Sequence, residues 1–382
     1  MLEDFLNNKP LFYDEIDYTR MPRVYNRIKK YFKLPKIIHI IGTNGKGTTG
    51  RFLATALYQM GYNVGHYTSP HILEFNERIW FNGQNVSMEL LEVKHQELLQ
   101  ILNDDEVKLL SYFEYTTLLA MLLFTSQCDY VLLEAGLGGE HDATAVFENE
   151  LTVVTPIDID HESFLGDTIV SIAKTKLNAI QKTAIIAKQK YDEVKEVLED
   201  IKLQKAISFY NYSELLDDKD YENIKEIAKH ENLVTYLEEN LSLAISVLNY
   251  LGFVYKKEDF YNARLFGRLT QIRSNVIVDV GHNVLAAKSI AKSLAGKEYI
   301  LIYNSYKDKN YEEILKLLKP IIKKVLLIEV YNSRIEDTLY LQKKLSSLDI
   351  DWDIFQDIDP QEEYLVFGSF SVVEVFLRKE HG

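Results

Sequence analysis

A lysine within a run of glycines is the feature of this sequence best suited to chemistry. The loop 42–47 (GTNGKG) follows the β-branched run 37–41 and precedes a segment whose apolar residues recur with the period of a helix. In such a loop the glycines let backbone N–H groups face phosphate oxygens, and the helix N-terminus and the lysine add positive charge. We therefore predict a site for ATP or a similar nucleotide, formed by Thr43, Asn44, Gly45, Lys46, Gly47 and Thr48.

This loop departs from the standard Walker A spacing in two places. Ile40 stands where that pattern has its first glycine, and Gly47 separates Lys46 from the hydroxyl residue Thr48. The alternative interpretation is a glycine-rich turn with an exposed lysine. We favour the phosphate loop because a predicted strand and a predicted helix flank it as the motif requires.

Three further side chains are candidates for binding a metal ion. Ser69, Glu134 and His161 each lie at or just beyond the end of a strand-like run. In α/β proteins the carboxyl ends of the strands form the edge where sites assemble. Serine and glutamate oxygens suit Mg²⁺, whereas an imidazole ligand is less usual for this ion. Taken singly, each residue also fits an ordinary role as a turn serine, a strand-end carboxylate or a loop histidine.

The elements that must position these residues alternate between strand and helix along the first two-thirds of the chain. This alternation predicts a mainly parallel sheet covered by helices on both faces. The predicted strands are 37–41, 63–67, 130–134, 151–155 and 184–187, and the predicted helices include 88–102, 115–125, 169–176 and 233–251. The stretch 191–232 is charged and weakly patterned, and we predict that it is peripheral.

A second alternation begins beyond the segment 256–268, which is the best candidate for a joint between domains. Its predicted strands are 276–279, 299–303, 325–330 and 364–367, and its predicted helices are 285–294, 311–318, 337–348 and 370–377. The predicted fold class is α/β: a P-loop domain with a mainly parallel sheet, 1–262, followed by a smaller Rossmann-like domain, 263–382.

Composition excludes several classes of protein. The formal net charge of −14 disfavours a nucleic-acid partner, because binding to phosphate backbones needs clustered Lys and Arg. The single cysteine, Cys128, excludes an intrachain disulfide framework. The N-terminus lacks a secretory pattern, and no apolar run approaches the ~18 residues of a membrane span. We therefore expect a cytoplasmic enzyme with small-molecule substrates.

Several of these motifs resemble those of the Mur ligase superfamily. GTNGKG followed by Thr48 resembles its phosphate loop, and the glycine after the lysine is similar to the folylpolyglutamate synthase and dihydrofolate synthase branch. EAGLGG from Glu134 resembles E-x-G-x-G-G, and HESFLG from His161, preceded by Asp160, resembles D-H-x-x-x-L-G. The resemblance implies that Ser69, Glu134 and His161 bind Mg²⁺.

The same family carries a lysine fifteen residues after the metal histidine, in a K-A-G-I segment. Here that position is Lys176, followed by LNAI at 177–180. In several members the lysine is carbamylated, which turns a cation into an oxygen ligand for a second Mg²⁺. The changed neighbours leave a solvated helix lysine as the alternative.

A further segment resembles the family's T-x-F-E-x-x-T motif, which lines a pteridine pocket. It begins SYFEYT, and the substrate-binding candidates are Ser111, Tyr112, Phe113 and Glu114. Aromatic rings would stack on a flat heterocycle, and the carboxylate would accept hydrogen bonds from its N–H groups. The alternative is the start of a helix with buried aromatic side chains.

The second domain also carries family-like segments. FGR at 266–268 resembles P-G-R, and DVGHNV at 279–284 resembles D-G-A-H-N-P. The resemblance implies ATP contacts from Arg268 and Asp279, and from Asn240 near adenine. It makes His282 a catalytic candidate that orients the phosphates or the attacking amine.

The activity implied by this resemblance is ATP-dependent ligation of L-glutamate to dihydropteroate or a folate. The reaction would pass through an acyl phosphate and need Mg²⁺, in a protein that is a monomer by family default. One alternative is another Mur-type ligase acting on a cell-wall precursor. A second alternative is a P-loop ATPase or switch without ligase activity, which leaves the second α/β domain without a role.

Overall fold

The structure, a computed structural model, describes residues 1–10 and 17–381. The chain forms two compact units. The first comprises Met1–Leu233 and Leu237–Ala263, and the second comprises Val234–Tyr236 and the chain from Arg264 onward. In the described part of the chain, no helix is both long and apolar enough to cross a membrane.

The first unit is built on an eight-stranded sheet with the strand order β4-β3-β2-β5-β1-β6-β7-β8. Strands β3 and β4 join antiparallel at one edge, and the remaining neighbours pair in parallel. The strands are β1 Lys36–Ile41, β2 Val64–Tyr67, β3 Ile79–Phe81, β4 Gln84–Asn85, β5 Tyr130–Glu134, β6 Leu151–Val154, β7 Thr183–Ile186 and β8 Ser208–Asn211.

Helices cover both faces of this sheet. They are α1 Leu2–Asn7, α2 Arg20–Ile28, α3 Lys46–Gln59, α4 Met88–Ile101, α5 Asp104–Leu109, α6 Tyr112–Phe124, α7 Glu162–Leu165, α8 Ile169–Leu177, α9 Asp192–Lys205, α10 Asp218–His230 and α11 Thr235–Tyr250. Strands β1, β5 and β6 are buried almost throughout because helices pack on the two faces. Because these three strands are parallel, their carboxyl ends lie together at one edge of the sheet, where polar residues can converge.

The second unit repeats this plan at smaller scale. Its sheet has the order β13-β12-β11-β14-β10-β9, with only the β9–β10 pair antiparallel among its described strands. The strands are β9 Thr270–Arg273, β10 Val276–Val278, β11 Tyr299–Tyr303, β12 Ile322–Leu327, β13 Trp352–Ile354 and β14 Tyr364–Phe367. The helices are α12 Val284–Ser293, α13 Tyr311–Leu318, α14 Thr338–Ser347 and α15 Phe370–His381.

The stretch 191–232, predicted to be peripheral, forms the helices α9 and α10 and the edge strand β8, which pairs with β7 at one end of the sheet. Apolar residues of α9 recur at helical spacing and are buried, namely Val194, Val197, Leu198 and Ile201. The dense charges of the exposed face hide this narrow stripe, so the helix was not predicted from the sequence.

Two buried histidines of the eight-stranded sheet are expected to make the free energy of unfolding depend on pH. Burial lowers the pKa of His39, in β1, to about 4. Burial and the nearby Arg51 charge lower the pKa of His66, in β2, well below its usual value. An unfolded chain binds protons on both below about pH 6.5, whereas the folded chain keeps them neutral. The free energy of unfolding should therefore fall as the pH decreases through about 6.5, with a slope that approaches about 1.4 kcal/mol per pH unit for each histidine below about pH 5.5.

Urea unfolding across the range from about pH 7.5 to about pH 5.5 tests this expectation. Because this range is centred on the pKa of an unfolded histidine, the variant His39→Gln should lose about 1.4 kcal/mol of the total change in the free energy of unfolding across it. Equal slopes for His39→Gln and the wild-type chain would contradict the assignment.

Candidate active site

The predicted phosphate loop connects β1 to α3, as the strand–loop–helix pattern requires. Two of its residues must be glycine. A Cβ at Gly42, whose φ is +135°, would lie 2.1 Å from Thr155 Oγ1. A Cβ at Gly45, whose φ is +91°, would lie 2.4 Å from Asn240 Oδ1. The loop is therefore packed between the end of β6 and the helix α11 of the same unit.

One side of this loop is tied to the segment that follows β6. The N–H groups of Thr43 and Asn44 donate to Pro156 O at 2.9 and 3.4 Å. The hydroxyl of Thr43 donates to Asp158 O at 3.1 Å and accepts from Asp158 N at 3.0 Å. Thr43 and Asn44 thus hold the loop in shape, and the N–H groups of 45–48 open the helix, where no intrahelical acceptor exists. These four groups give the N-terminal end of α3 the geometry and partial positive charge that suit an anion.

Lys46 lies beside a buried carboxylate. Its Nζ is 3.3 Å from Gly42 O, 3.2 Å from Thr43 O and 3.9 Å from Glu134 Oε1. Glu134 Oε2 accepts hydrogen bonds from the hydroxyl of Thr68 and, at 3.2 Å, from the N–H of Ser69. The ends of the adjacent strands β2, β5 and β1 therefore bring Ser69, Glu134 and Lys46 together.

Thr48 adds an unused polar atom next to this group. Its Oγ1 is buried and has no hydrogen-bond partner among the described residues. A buried hydroxyl without a partner is costly unless a ligand satisfies it. Oxygen donors from Thr48, Ser69 and Glu134 fit a hard divalent cation such as Mg²⁺. In residues 1–10 and 17–381, no group of three or more His, Cys, Asp or Glu side chains has a metal-binding arrangement.

Lys176 reaches the same loop from α8. It is buried, and its Nζ donates to Gly42 O at 3.0 Å, so Gly42 O accepts from two lysines. Burial and, to a smaller extent, the Lys46 charge lower the pKa of Lys176 to about 7, and Asp160 and Asp142 oppose this change. His161 follows Asp160 at the start of α7, with a φ of +55°, and its N–H donates to Asp160 Oδ1.

Ser111 and Glu114 have a structural role at the start of α6. They form a capping box, in which Glu114 N donates to Ser111 Oγ at 3.3 Å and Ser111 N donates to Glu114 Oε2 at 2.8 Å. Glu114 also pairs with Arg20, a residue of α2, at 2.9 Å. Helix α6 consequently begins at Tyr112, three residues before its predicted start. Much of the carboxylate's capacity is used within the protein.

The aromatic side chains of the same segment lie beside two other parts of the first unit. The centroid of the Tyr112 ring is 5.2 Å from the guanidinium of Arg78. Arg78 is the last residue of the short 3₁₀ helix Phe75–Arg78. The Phe113 ring abuts Gly136, where a Cβ would lie only 2.7 Å away. Phe113 therefore borders the loop that immediately follows Glu134, near the end of β5.

In the second unit, Asp279 organises a separate cluster. The buried carboxylate accepts from Leu269 N at 2.9 Å, Gly281 N at 2.7 Å and the Tyr236 hydroxyl at 3.0 Å. Burial raises the pKa of Asp279, and the charge of Arg268 opposes that rise. These bonds connect the loops that carry Arg268 and His282.

The side chains of Arg268 and His282 lie near one aromatic ring. The Arg268 guanidinium is 5.5 Å from the centroid of Phe370, and the His282 ring is 6.4 Å from it. His282 Nδ1 is 3.1 Å from Val280 O, and Asn283 caps α12. Sequence analysis missed Tyr236 and Phe370, because neither lies within a motif and only the fold brings them to this cluster.

Comparison with known proteins assigns the chain to a family, although no family model matches it. A curated relative from Escherichia coli strain K12, dihydrofolate synthase/folylpolyglutamate synthase, is 30% identical over 387 residues, covering 94% of this chain and 90% of the relative. The chain belongs to this family. The resemblance found in the sequence to folylpolyglutamate and dihydrofolate synthases is therefore confirmed.

Solved structures of folylpolyglutamate synthases share the fold. The crystal structure of Helicobacter pylori folylpolyglutamate synthetase is 36% identical, with a TM-score of 0.81, and the match covers 100% of this chain and 98% of that one. The bifunctional enzyme from Yersinia pestis, complexed with AMPPNP and an Mn ion, is 25% identical, with a TM-score of 0.83 and coverage of 100% and 97%. The predicted fold class, a P-loop domain followed by a smaller Rossmann-like domain, is confirmed.

Proposed function

We propose that this chain ligates L-glutamate to the carboxylate of dihydropteroate or of a folate and converts ATP to ADP and phosphate. The observation that carries the proposal is the convergence of Lys46, Glu134 and Ser69 at one edge of the sheet, beside the aromatic ring of Phe113. Membership of the dihydrofolate synthase/folylpolyglutamate synthase family supports the identity of the two substrates.

The reaction takes place in two steps. An oxygen of the substrate carboxylate attacks the γ-phosphorus of ATP, the bond to the β–γ bridging oxygen breaks, and ADP leaves. The amino nitrogen of glutamate then attacks the carbonyl carbon of the acyl phosphate, loses a proton, and displaces phosphate to form the amide. Such chemistry depends on positioning and charge neutralisation more than on a protein nucleophile.

Residues of the phosphate loop would bind the nucleotide. The N–H groups of 45–48 would hold the phosphates, and the Lys46 ammonium would move from its carbonyl partners to the oxygens of the γ-phosphate. Thr43 and Asn44 would keep the loop in shape. Arg268 would add a second cation, Asp279 would position Arg268, and His282 would orient phosphate or amine. Asn240, packed on Gly45, would contact the nucleotide near the adenine.

Magnesium is the divalent ion that we propose for this site. Ser69, Glu134 and His161 would hold it, and when bound it would neutralise negative charge on the transferring phosphate. The fit of the site rests on its oxygen donors and on the unpartnered hydroxyl of Thr48. The Yersinia pestis enzyme complexed with AMPPNP and an Mn ion supports the use of a divalent ion together with the nucleotide.

Lys176 is proposed as a carbamylated lysine. A pKa of about 7 leaves a large neutral fraction at neutral pH, and only the neutral amine can attack CO₂. The carbamate would replace a buried cation by oxygen atoms next to Gly42 and Lys46. This exchange would relieve the repulsion between the two lysines.

Tyr112 and Phe113 are proposed to contact a flat heterocycle of the substrate, as in a pterin. The Tyr112 ring lies near Arg78, and the Phe113 ring lies near the loop that follows β5. Ser111 and Glu114 would act mainly by fixing the start of α6, because their polar atoms already bond to each other and to Arg20. The substrate would therefore be selected chiefly by stacking.

Phosphate release from ATP, measured with L-glutamate and one carboxylate substrate at a time, tests the function. We expect turnover with dihydropteroate, tetrahydrofolate or both, and little phosphate release when either glutamate or the carboxylate is omitted. The product amide should be identified by mass spectrometry.

Two results would contradict the proposal in different ways. Turnover of a UDP-linked muramyl peptide, with none for dihydropteroate or a folate, would support the cell-wall alternative and leave the phosphate loop in place. Full-rate ATP hydrolysis without any acceptor would contradict ligation itself and favour a P-loop ATPase.

A further inference from the structure

Helix α11 carries residues of both units on neighbouring turns. Its segment up to Tyr236 groups with the second unit, and the helix from Leu237 onward groups with the first. Tyr236 therefore belongs to the same unit as Arg268, Asp279 and His282.

Tyr236 contacts the acidic centre of the second unit. Its hydroxyl donates to Asp279 Oδ2 at 3.0 Å. The same carboxylate accepts from Leu269 N and Gly281 N, the residues next to Arg268 and His282 in sequence. The Tyr236 hydroxyl is thus the side-chain donor to Asp279, and the other two donors are N–H groups of the loops that carry Arg268 and His282. We call these three hydrogen bonds to Asp279 the Asp279 hub. Hydrogen bonds of this kind, from a neutral donor to a buried carboxylate, are among the stronger ones.

We propose that Tyr236 is a positioning residue for the ligation, which fixes the Asp279 carboxylate and the two loops bonded to it. This inference rests on the proposed function. Tyr236 touches neither nucleotide nor acceptor in this role. It acts through Asp279 on Arg268 and His282, which belong to the same unit.

The test is the variant Tyr236→Phe, which deletes the hydroxyl and keeps the ring. We expect kcat for ligation to fall about tenfold, because one charge-assisted hydrogen bond in the hub is lost. The Kd of an ATP analogue should stay within about twofold of wild type, since the phosphate loop is intact. The matched control is Tyr299→Phe, a buried tyrosine of the second unit with no hydrogen bond from its hydroxyl among the described residues.

A pH profile separates positioning from a general loss of stability. The Tyr236 hydroxyl favours the ionised form of Asp279, as does the nearby Arg268 charge. Removing the hydroxyl should therefore move the acid limb of kcat to higher pH. In an Asp279→Asn background, Tyr236→Phe should have little further effect, because the carboxylate it serves is already gone.

The possible failures are distinguishable. A wild-type chain that does not ligate glutamate would overturn both the proposed function and this inference. A wild-type chain that ligates, with an unchanged kcat and acid limb in Tyr236→Phe, would overturn the role of Tyr236 alone. Additive effects in the double variant, or equal losses in Tyr299→Phe, would also overturn it.

Discussion

Lys46→Ala is expected to lower kcat for ligation by about a hundredfold to a thousandfold while leaving the fold intact. In the proposed reaction the lysine ammonium would neutralise charge on the transferring phosphate, and no other side chain of the phosphate loop carries a positive charge. Its contacts in the protein are two loop carbonyls and a long pair with Glu134, so its removal costs little packing. Initial rates of phosphate release, together with a thermal unfolding curve, measure the two effects.

Two control variants sharpen this prediction. Lys188→Ala removes an exposed lysine after β7 in the same unit and should keep normal turnover. Lys46→Arg should remain poor, because a planar guanidinium replaces a compact ammonium in a narrow loop. Near-normal turnover in Lys46→Ala would contradict the assignment of loop 42–47 to nucleotide phosphates.

Glu134→Gln is expected to raise the Mg²⁺ concentration needed for half-maximal activity by about 10- to 100-fold. The substitution keeps the shape of the side chain but removes the charge that attracts the ion. The carbonyl oxygen of the amide can still accept the hydrogen bonds of Thr68 and Ser69, which both go to Oε2, whereas its NH₂ group cannot bind a cation. Mg²⁺ titrations of turnover, and of nucleotide-analogue binding without turnover, provide two measurements of the same change.

The control for this variant lies on the same loop. Glu140→Gln removes an exposed carboxylate six residues later and should leave the Mg²⁺ titration unchanged. If Glu134→Gln and the wild-type chain gave superimposable Mg²⁺ titrations in both measurements, Glu134 would not be a metal ligand. The hydrogen bonds to Thr68 and Ser69 would then be its whole role.

Sequence reasoning succeeded where the determinants are local. The strand, loop and helix around Lys46 are adjacent in the chain, and the glycines and apolar spacing predict them directly. The meeting of Ser69 and Glu134 also follows from sequence, because both end parallel strands and such ends share one edge of a sheet. The ligand roles of these residues, and those of His161 and Lys176, stay predictions.

Contacts between residues that are distant in sequence were not predicted. Arg20 pairs with Glu114 across 94 positions, and Tyr236 bonds to Asp279 across 43. Neither arginine nor tyrosine stands in a motif, and no spacing rule connects them to their carboxylates. Glu114 was consequently interpreted as a substrate contact, with a helix start as the alternative for its segment, and its ion pair with Arg20 was not predicted.

The bonds from the phosphate loop to Pro156 and Asp158 have a consequence for how fast and how tightly a nucleotide binds. A loop that is already immobilised loses little conformational entropy when a ligand arrives, so less of the interaction energy is offset by ordering. The incoming phosphate needs only to draw the Lys46 ammonium away from two carbonyl oxygens. Nucleotide binding should therefore change the backbone conformation of this loop very little.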